Sequence, residues 1–241
     1  MPNNQLKTRL GKRLKALYQS IPGQTDHFLD LCCDHGSLGR AVLETRSDCH
    51  VTFNDLRPGI MNDLAELLQR YQAHNFTLDT GPAQQVQLPV QGQSTVMLAG
   101  IGDEQAIEII ESLLAQQTEQ PCRLIISPAT KVHYVRSFLA SASVSLEQES
   151  LVTENRRTYE VISVRKALSG EKKPVSRFGS AWALGNTDHQ QHLLKLIQFY
   201  DAQQNRNRTD DTALIVEHYK KILKMPTNLL LNRRIGHAYC I

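Results

Sequence analysis

Residues 28–40 read Phe28-Leu29-Asp30-Leu31-Cys32-Cys33-Asp34-His35-Gly36-Ser37-Leu38-Gly39-Arg40. The first six residues are an apolar run with one carboxylate, which is typical of a buried strand in a parallel sheet. Ser37 then opens a helical pattern as its expected cap, and Leu38, Ala41 and Val42 share one helix face. A strand, a tight turn and a helix in this order predict a nucleotide-like ligand at the carboxyl end of a parallel sheet.

A second expected strand, residues 50–55, begins about twenty residues after Asp30 and ends in the acid Asp55. An acid at this point can accept hydrogen bonds from both hydroxyls of a ribose, although a solvated loop acid is the alternative. Only Gly36 and Gly39 lie in the first turn, whereas the G-x-G-x-x-G motif needs three glycines so that a pyrophosphate can approach the backbone. The turn therefore suits a ligand with a ribose and no phosphate, such as S-adenosylmethionine.

Composition is that of an ordinary globular chain of 241 residues, with 41% hydrophobic and 21% charged residues and a net charge of +3. Residues 171–241 contain eleven Lys/Arg and six Asp/Glu, whereas residues 1–170 contain sixteen Lys/Arg and eighteen Asp/Glu. This basic surplus favours a polyanionic partner, with a solvated helical face as the alternative. The opening MPNNQLKTRL lacks the apolar core of a signal peptide, no apolar run reaches the ~18 residues of a membrane span, and the five cysteines lack paired spacing. We therefore expect a cytoplasmic protein without a membrane partner.

Alternating strand and helix patterns continue along the chain after a basic amphipathic helix expected at residues 5–20. Further strands are expected at residues 75–78, 94–99, 123–126, 144–152 and 158–165, and further helices at 60–73, 106–114 and 132–139. The last two strands have no helix between them, which predicts one antiparallel member in a mostly parallel sheet. Two more helical patterns, 192–203 and 212–224, flank a basic turn that contains Arg206 and Arg208. The expected domains are residues 1–170, an α/β Rossmann-like sheet, and residues 171–241, a small helical appendage.

The chain carries a series of short motifs in a fixed order. They are Arg9-Leu10 or Arg13-Leu14, then Asp30-Leu31-Cys32-Cys33-Asp34-His35, then Ala99-Gly100-Ile101-Gly102-Asp103, then Ser127-Pro128-Ala129, and finally Tyr159-Glu160. In these motifs the chain resembles the class I S-adenosylmethionine-dependent methyltransferases. More narrowly, it resembles the bacterial family that methylates N1 of adenine 22 in tRNA. It departs from that family's pattern where Cys32 and Cys33 replace Gly-Ser, Asp103 replaces a glycine and Ala129 replaces an asparagine.

The resemblance implies S-adenosylmethionine as cofactor, tRNA as partner and a set of site residues. Because most of a tRNA lies outside a pocket for one base, we expect the basic appendage, residues 171–241, to contact its phosphates. The candidates for binding the cofactor are Asp30, Cys32, Asp34, His35, Gly36, Asp55, Thr80, Gly81, Ala99 and Gly100. Among these, we expect Asp30 near the methionine end and Thr80 and Gly81 beside the adenine, with a purely structural carboxylate as the alternative for Asp30. Asp103 is a candidate for binding the exocyclic amine of the target base, and Tyr159 for stacking on it, unless this tyrosine only packs the sheet.

Direct displacement is the expected chemistry, because N1 of adenine already has a free lone pair near neutral pH. The enzyme must mainly hold N1 in line with the methyl group, and the base must be unpaired or flipped to reach it. Two other functions remain open: a weak or inactive RNA-binding protein with this fold, and a small-molecule methyltransferase. No metal is expected, because the adjacent thiols of Cys32 and Cys33 would point to opposite faces of a strand. A monomer or weak homodimer is expected.

Overall fold

The computed structural model describes residues 8–116, 122–167, 172–206 and 210–224. Several expectations from the sequence fall outside these residues: the start of the opening helix at 5–7, Arg208, and the domain boundary near residue 170. No helix in the described ranges is long and apolar enough to cross a membrane.

One seven-stranded sheet organises the chain. Its strands are β1 His27–Leu31, β2 His50–Asp55, β3 Phe76–Thr80, β4 Ser94–Ala99, β5 Cys122–Ser127, β6 Val144–Glu154 and β7 Arg157–Lys166. They lie in the order β3-β2-β1-β4-β5-β7-β6. Strand β7 is antiparallel to both of its neighbours, β5 and β6, and the other pairs are parallel. This confirms the predicted, mostly parallel sheet with one antiparallel strand. Because β1 to β5 are parallel, their carboxyl ends meet at one edge.

Seven α-helices accompany the sheet within the described residues. They are α1 Lys12–Gln19, α2 Ser37–Thr45, α3 Pro58–Arg70, α4 Asp103–Ala115, α5 Val132–Ser141, α6 Thr187–Arg206 and α7 Asp210–Lys224, with a short 3₁₀ turn at Ala83–Gln85. The last two form the predicted helical appendage.

Several local expectations were wrong. Residues 8–11 precede α1 rather than belonging to the opening helix, and Arg206 ends α6 rather than lying in a turn. Ser37 is the first helical residue rather than the cap; Gly36 is the cap, with a left-handed φ of 63° that glycine adopts without strain. The strand expected at residues 75–78 runs on through Asp79 and Thr80, because these two residues pair with the end of β2. Cys32 and Cys33 lie in the turn after β1, so the strand alternation invoked to separate their thiols does not apply. Among the described residues, no three His, Cys, Asp or Glu side chains converge as metal ligands would.

Close packing sets the position of α2 over the sheet. A Cβ atom on Gly39 would lie 2.2 Å from Cε1 of Phe53, so only glycine lets the first turn of α2 approach β2 this closely. A buried ion-pair cluster joins α5 to the β6–β7 hairpin and to the segment that precedes α6. Arg136 on α5 binds Glu149 (2.8 Å) and Glu160 (2.7 Å) in the β6–β7 hairpin and donates to the carbonyl of Ser176 (3.1 Å).

Candidate functional site

A cleft of about 500 Å³ opens at the carboxyl ends of β1, β2 and β4, and we call it the first cleft. It is lined by Arg13, Leu14, Asp30, Cys32, Cys33, Asp34, His35, Ser37, Leu38, Asp55, Leu56, Arg57, Ala99, Gly100, Ile101 and Gln105. Seven of the ten candidates for binding the cofactor are in this lining. The other three, Gly36, Thr80 and Gly81, are not. Gly81 lies next to Asp55, since its N–H donates to the Asp55 carbonyl at 3.2 Å.

Asp30 is a buried acid in the wall of the first cleft, with 4% of its surface exposed. Its Oδ2 accepts one hydrogen bond, from the N–H of Gly39 at 2.9 Å. Burial raises the pKa of Asp30 to about 7, and the single hydrogen bond offsets this only in part. No cation of the described residues forms an ion pair with Asp30. A positively charged ligand group in the cleft would therefore shift Asp30 to its ionised form.

The turn after β1 has an unusual backbone. Cys32, Asp34 and Gly36 have φ values of 54°, 53° and 63°, so two residues other than glycine occupy the left-handed region. This conformation aims the N–H of Asp34 at Oδ2 of Asp55, 3.0 Å away. Burial and the neighbouring carboxylates raise the pKa of the Cys32 thiol to about 11. The thiol is thus protonated at neutral pH and is a poor nucleophile.

Asp55 ends β2 with its carboxylate fully engaged. Oδ1 accepts from the backbone N–H (3.1 Å) and Nε (2.9 Å) of Arg57, and Oδ2 accepts from Nη2 of Arg57 (3.1 Å) as well as from Asp34. Hydrogen bonding from Arg57 holds the pKa of Asp55 below its usual value. The Arg57 side chain is more than half exposed. Ribose hydroxyls could therefore replace its side-chain bonds while both backbone bonds to Asp55 remain.

A second cleft, of about 230 Å³, lies between the loop after β5, the β6–β7 hairpin and α6. Tyr159 lines it, with Ala129 on the same wall. Its other lining residues include four cationic and two acidic side chains: Lys131, Arg156, Arg157, Lys195, Glu160 and Asp188. Because Glu160 is already paired with the buried Arg136, the cations dominate the second cleft.

The two clefts share a wall built on Arg13. This residue lines the first cleft, and its guanidinium carbon lies 4.3 Å from the ring centroid of Tyr159 in the second. Its Nη2 also donates to the carbonyl of Ser127 at 3.2 Å. Of the two Arg-Leu pairs that could form the first motif, Arg9-Leu10 and Arg13-Leu14, the second lines the first cleft with both of its residues. Arg13, Arg57 and Gln105 were not among the residues expected in a site, and only Arg13 carried a signal in the sequence, as part of a motif.

Asp103 does not line either cleft. It is the first residue of α4 and is buried, with Oδ1 3.5 Å from the Thr130 hydroxyl and Oδ2 3.8 Å from Nζ of Lys131. Its predicted contact with a target base stays a prediction.

Solved structures with the same fold include three bacterial proteins. Sp1610 of Streptococcus pneumoniae has a TM-score of 0.71 at 17% identity, with 89% of this chain and 100% of that chain covered. The B. subtilis m1A22 tRNA methyltransferase TrmK has a TM-score of 0.65 at 16% identity, covering 95% and 100%. M. capricolum TrmK, in complex with S-adenosyl-homocysteine, has a TM-score of 0.65 at 14% identity, covering 93% and 97%. At such identities the likeness establishes the Rossmann-like fold alone.

Sequence comparison assigns the family. No curated protein matches the chain significantly. A model of a known family, described as a methyltransferase domain, matches residues 10–162, which is more than half of the chain. This range runs from α1 into β7 and includes every residue that lines the first cleft. The chain therefore belongs to the methyltransferase domain family.

Proposed function

We propose that this protein is an S-adenosylmethionine-dependent methyltransferase that methylates N1 of an adenine in tRNA. The observation that carries the proposal is the pair of adjoining clefts separated by Arg13 and Tyr159. One cleft offers two acids at the carboxyl edge of the sheet, and the other offers an aromatic ring among cations.

The names of the structural neighbours support both ligands. TrmK of B. subtilis is an m1A22 tRNA methyltransferase, and Sp1610 has been solved with S-adenosyl-L-methionine. In this chain the donor set of the first cleft fits that cofactor. The buried Asp30, which has no ion-pair partner among the described residues, suits the cofactor's ammonium group, and Asp55 suits the ribose. Thr80 and Gly81 are neighbours of Asp55 and would border the adenine. When bound, the cofactor supplies a sulfonium methyl group that forms a bond to N1 as its bond to sulfur breaks.

The residues of the second cleft would position the base and exclude water. N1 needs no strong general base, so catalysis comes from orientation of the base against the methyl group. Tyr159 would stack on a base flipped out of the tRNA, and the surrounding cations would hold the adjacent phosphates. Such a reaction belongs in the cytoplasm with its tRNA.

Ala129 favours a second candidate function. It stands in the wall of the second cleft where the resembled family has an asparagine, so a polar contact to the base is missing there. A protein that binds the cofactor and RNA with little turnover would fit this difference.

Incubation of unmodified tRNA with the protein and cofactor tests the proposal. We expect 1-methyladenosine in the nuclease digest, detected by mass spectrometry, and none when Tyr159 is replaced by alanine. The protein without cofactor is the control for carried-over modification. If the protein binds the cofactor and tRNA but forms no methyladenosine, the second candidate replaces the first.

A further inference from the structure

One wall of the second cleft is a stripe of side chains along α6. The stripe runs at helical spacing and consists of Asp188, Gln191, His192, Lys195, Leu196 and Phe199. At 1.5 Å per residue it is ~16 Å long. Tyr159 lies where the second cleft adjoins the first, because its ring contacts Arg13 there. The stripe is therefore longer than a single base stacked on Tyr159 requires.

Phe199 is an exposed aromatic residue in this stripe. All six phenylalanines fall within the described residues, and only Phe199 is exposed, with 42% of its surface accessible. It is not a member of the hydrophobic cluster that joins α6 to α7. Within the described ranges its ring meets one other ring, that of Tyr200, at an angle of 83°, and such a contact covers at most one face. The open face of Phe199 is apolar surface that a stacked ligand would remove from water.

Two cations line the second cleft together with Phe199. Lys195 lies one helical turn before it, and Nζ of Lys195 donates to the carbonyl of Arg156 at 3.0 Å. Arg156 stands in the two-residue turn between β6 and β7 with a φ of 62°, a left-handed conformation that glycine adopts with less strain. Both side chains are exposed, and neither forms an ion pair with another described residue. The second cleft thus combines an open aromatic face with two unpaired positive charges.

An aromatic face beside cations suits single-stranded RNA, because a base stacks on the ring while its phosphate meets a cation. Bases in a duplex stack on one another and leave no face for such a ring. We propose that Phe199, Lys195 and Arg156 bind an unpaired nucleotide next to the target adenine, with its base on Phe199 and its phosphate at the two cations. The substrate then presents at least two unpaired nucleotides to the second cleft. This inference rests on the proposed function as an RNA methyltransferase.

Two fluorescent RNA probes test the subsite by anisotropy: a single-stranded pentanucleotide of adenosines, and a hairpin whose stem pairs all of its adenosines. Saturating S-adenosylhomocysteine keeps the probes out of the first cleft. Phe199→Ala should weaken binding of the single strand about ten- to a hundredfold and leave its salt dependence unchanged, because stacking releases no counterions. Lys195→Gln should weaken binding and also lower the salt slope by about one. Leu194→Ala is the matched control, since Leu194 is an equally exposed apolar residue of α6 outside the cleft, and it should change neither quantity.

Arg156→Gly separates binding from a structural role. It relieves the left-handed turn, so thermal unfolding should occur at the same or a higher temperature, while affinity for the single strand falls. Unchanged affinity together with unchanged or higher stability would remove Arg156 from the subsite.

Unchanged binding of the single strand by Phe199→Ala would overturn the proposal, and so would equal losses for the single strand and the hairpin. If Phe199→Ala is not folded, Phe199→Leu decides, because it keeps the apolar bulk and loses the aromatic face. Wild-type protein that methylates tRNA while Phe199→Ala binds RNA normally would refute the subsite and leave the proposed function intact. Loss of single-strand binding in the variant, with a wild type that forms no methyladenosine, would support the subsite and refute the enzyme. Wild-type protein that binds no RNA would overturn both.

Discussion

Asp30→Asn should make the protein more stable at neutral pH, because it removes a buried carboxyl whose pKa is about 7 instead of the usual 3.8. In the folded chain this carboxyl keeps its proton up to about pH 7, whereas in the unfolded chain it releases the proton above pH 4. The folded state therefore binds more protons between these values. Stability of the wild type falls as the pH rises through this window and levels off above it.

The size of the effect follows from the pKa difference. A difference of about 3 pKa units, at about 1.4 kcal/mol each, sets a limit of about 4 kcal/mol. Asparagine does not titrate, and its amide oxygen can accept the Gly39 N–H as the carboxyl does. Wild type and Asp30→Asn should thus have similar free energies of unfolding near pH 4. By pH 8 the variant should be the more stable, by up to about 4 kcal/mol.

Urea unfolding at several pH values between 4 and 8 measures this difference. Asp55→Asn is the matched control with the opposite sign. Its pKa is lowered by Arg57, so the stabilisation by Asp55 is present in full above about pH 4 and is lost only as the pH falls below it. Asp55→Asn should therefore lower stability by a similar amount throughout this pH series. If the difference between wild type and Asp30→Asn is the same at every pH, Asp30 is not the buried, titrating acid described above.

Two further substitutions test the packing that supports the site. Gly39→Ala should lower the free energy of unfolding by roughly 1–3 kcal/mol, because the added methyl group would overlap Phe53. Gly59→Ala is the control, since open space surrounds Gly59 and no such loss is expected. Thermal unfolding of both variants measures the difference. Glu160→Gln should cost on the order of 3–5 kcal/mol in urea unfolding, because it leaves Arg136 buried with reduced compensation, and a loss near zero would mean that the appendage is held by its apolar contacts.

The sheet could be predicted because its signals are local. Each apolar run ends in polar or small residues at the carboxyl edge, and the bounds of β4, Ser94–Ala99, are those expected from the sequence. The errors arose where a distant partner decides. Thr80 is strand because it pairs with Asp55, which no feature near residue 80 shows.

Some residues of the candidate site could likewise be predicted from local sequence signals, whereas others depend on distant partners. Residues that follow parallel strands must meet at one edge, so Asp30, Asp55 and Gly100 could be grouped from the sequence alone. The stacking of Arg13 on Tyr159 joins the first helix to the last strand, and only the folded chain brings them together. Hydrogen bonding of Arg57 to Asp55 is local, but nothing in the pattern distinguishes this arginine from a solvated one.

The side chain at position 129 bears on catalysis and not on the path of its loop. Its N–H donates to the carbonyl of Ile101 at 2.8 Å, and its own carbonyl accepts from Arg157. These backbone bonds tie together the loops after β4 and β5, so the path of the loop does not depend on the side chain at position 129. Replacing the asparagine of the resembled family by alanine therefore changes the chemistry of the second cleft and leaves the first intact. Cofactor affinity is then expected in either case, and methylation of tRNA is the measurement that distinguishes an enzyme from a binding protein.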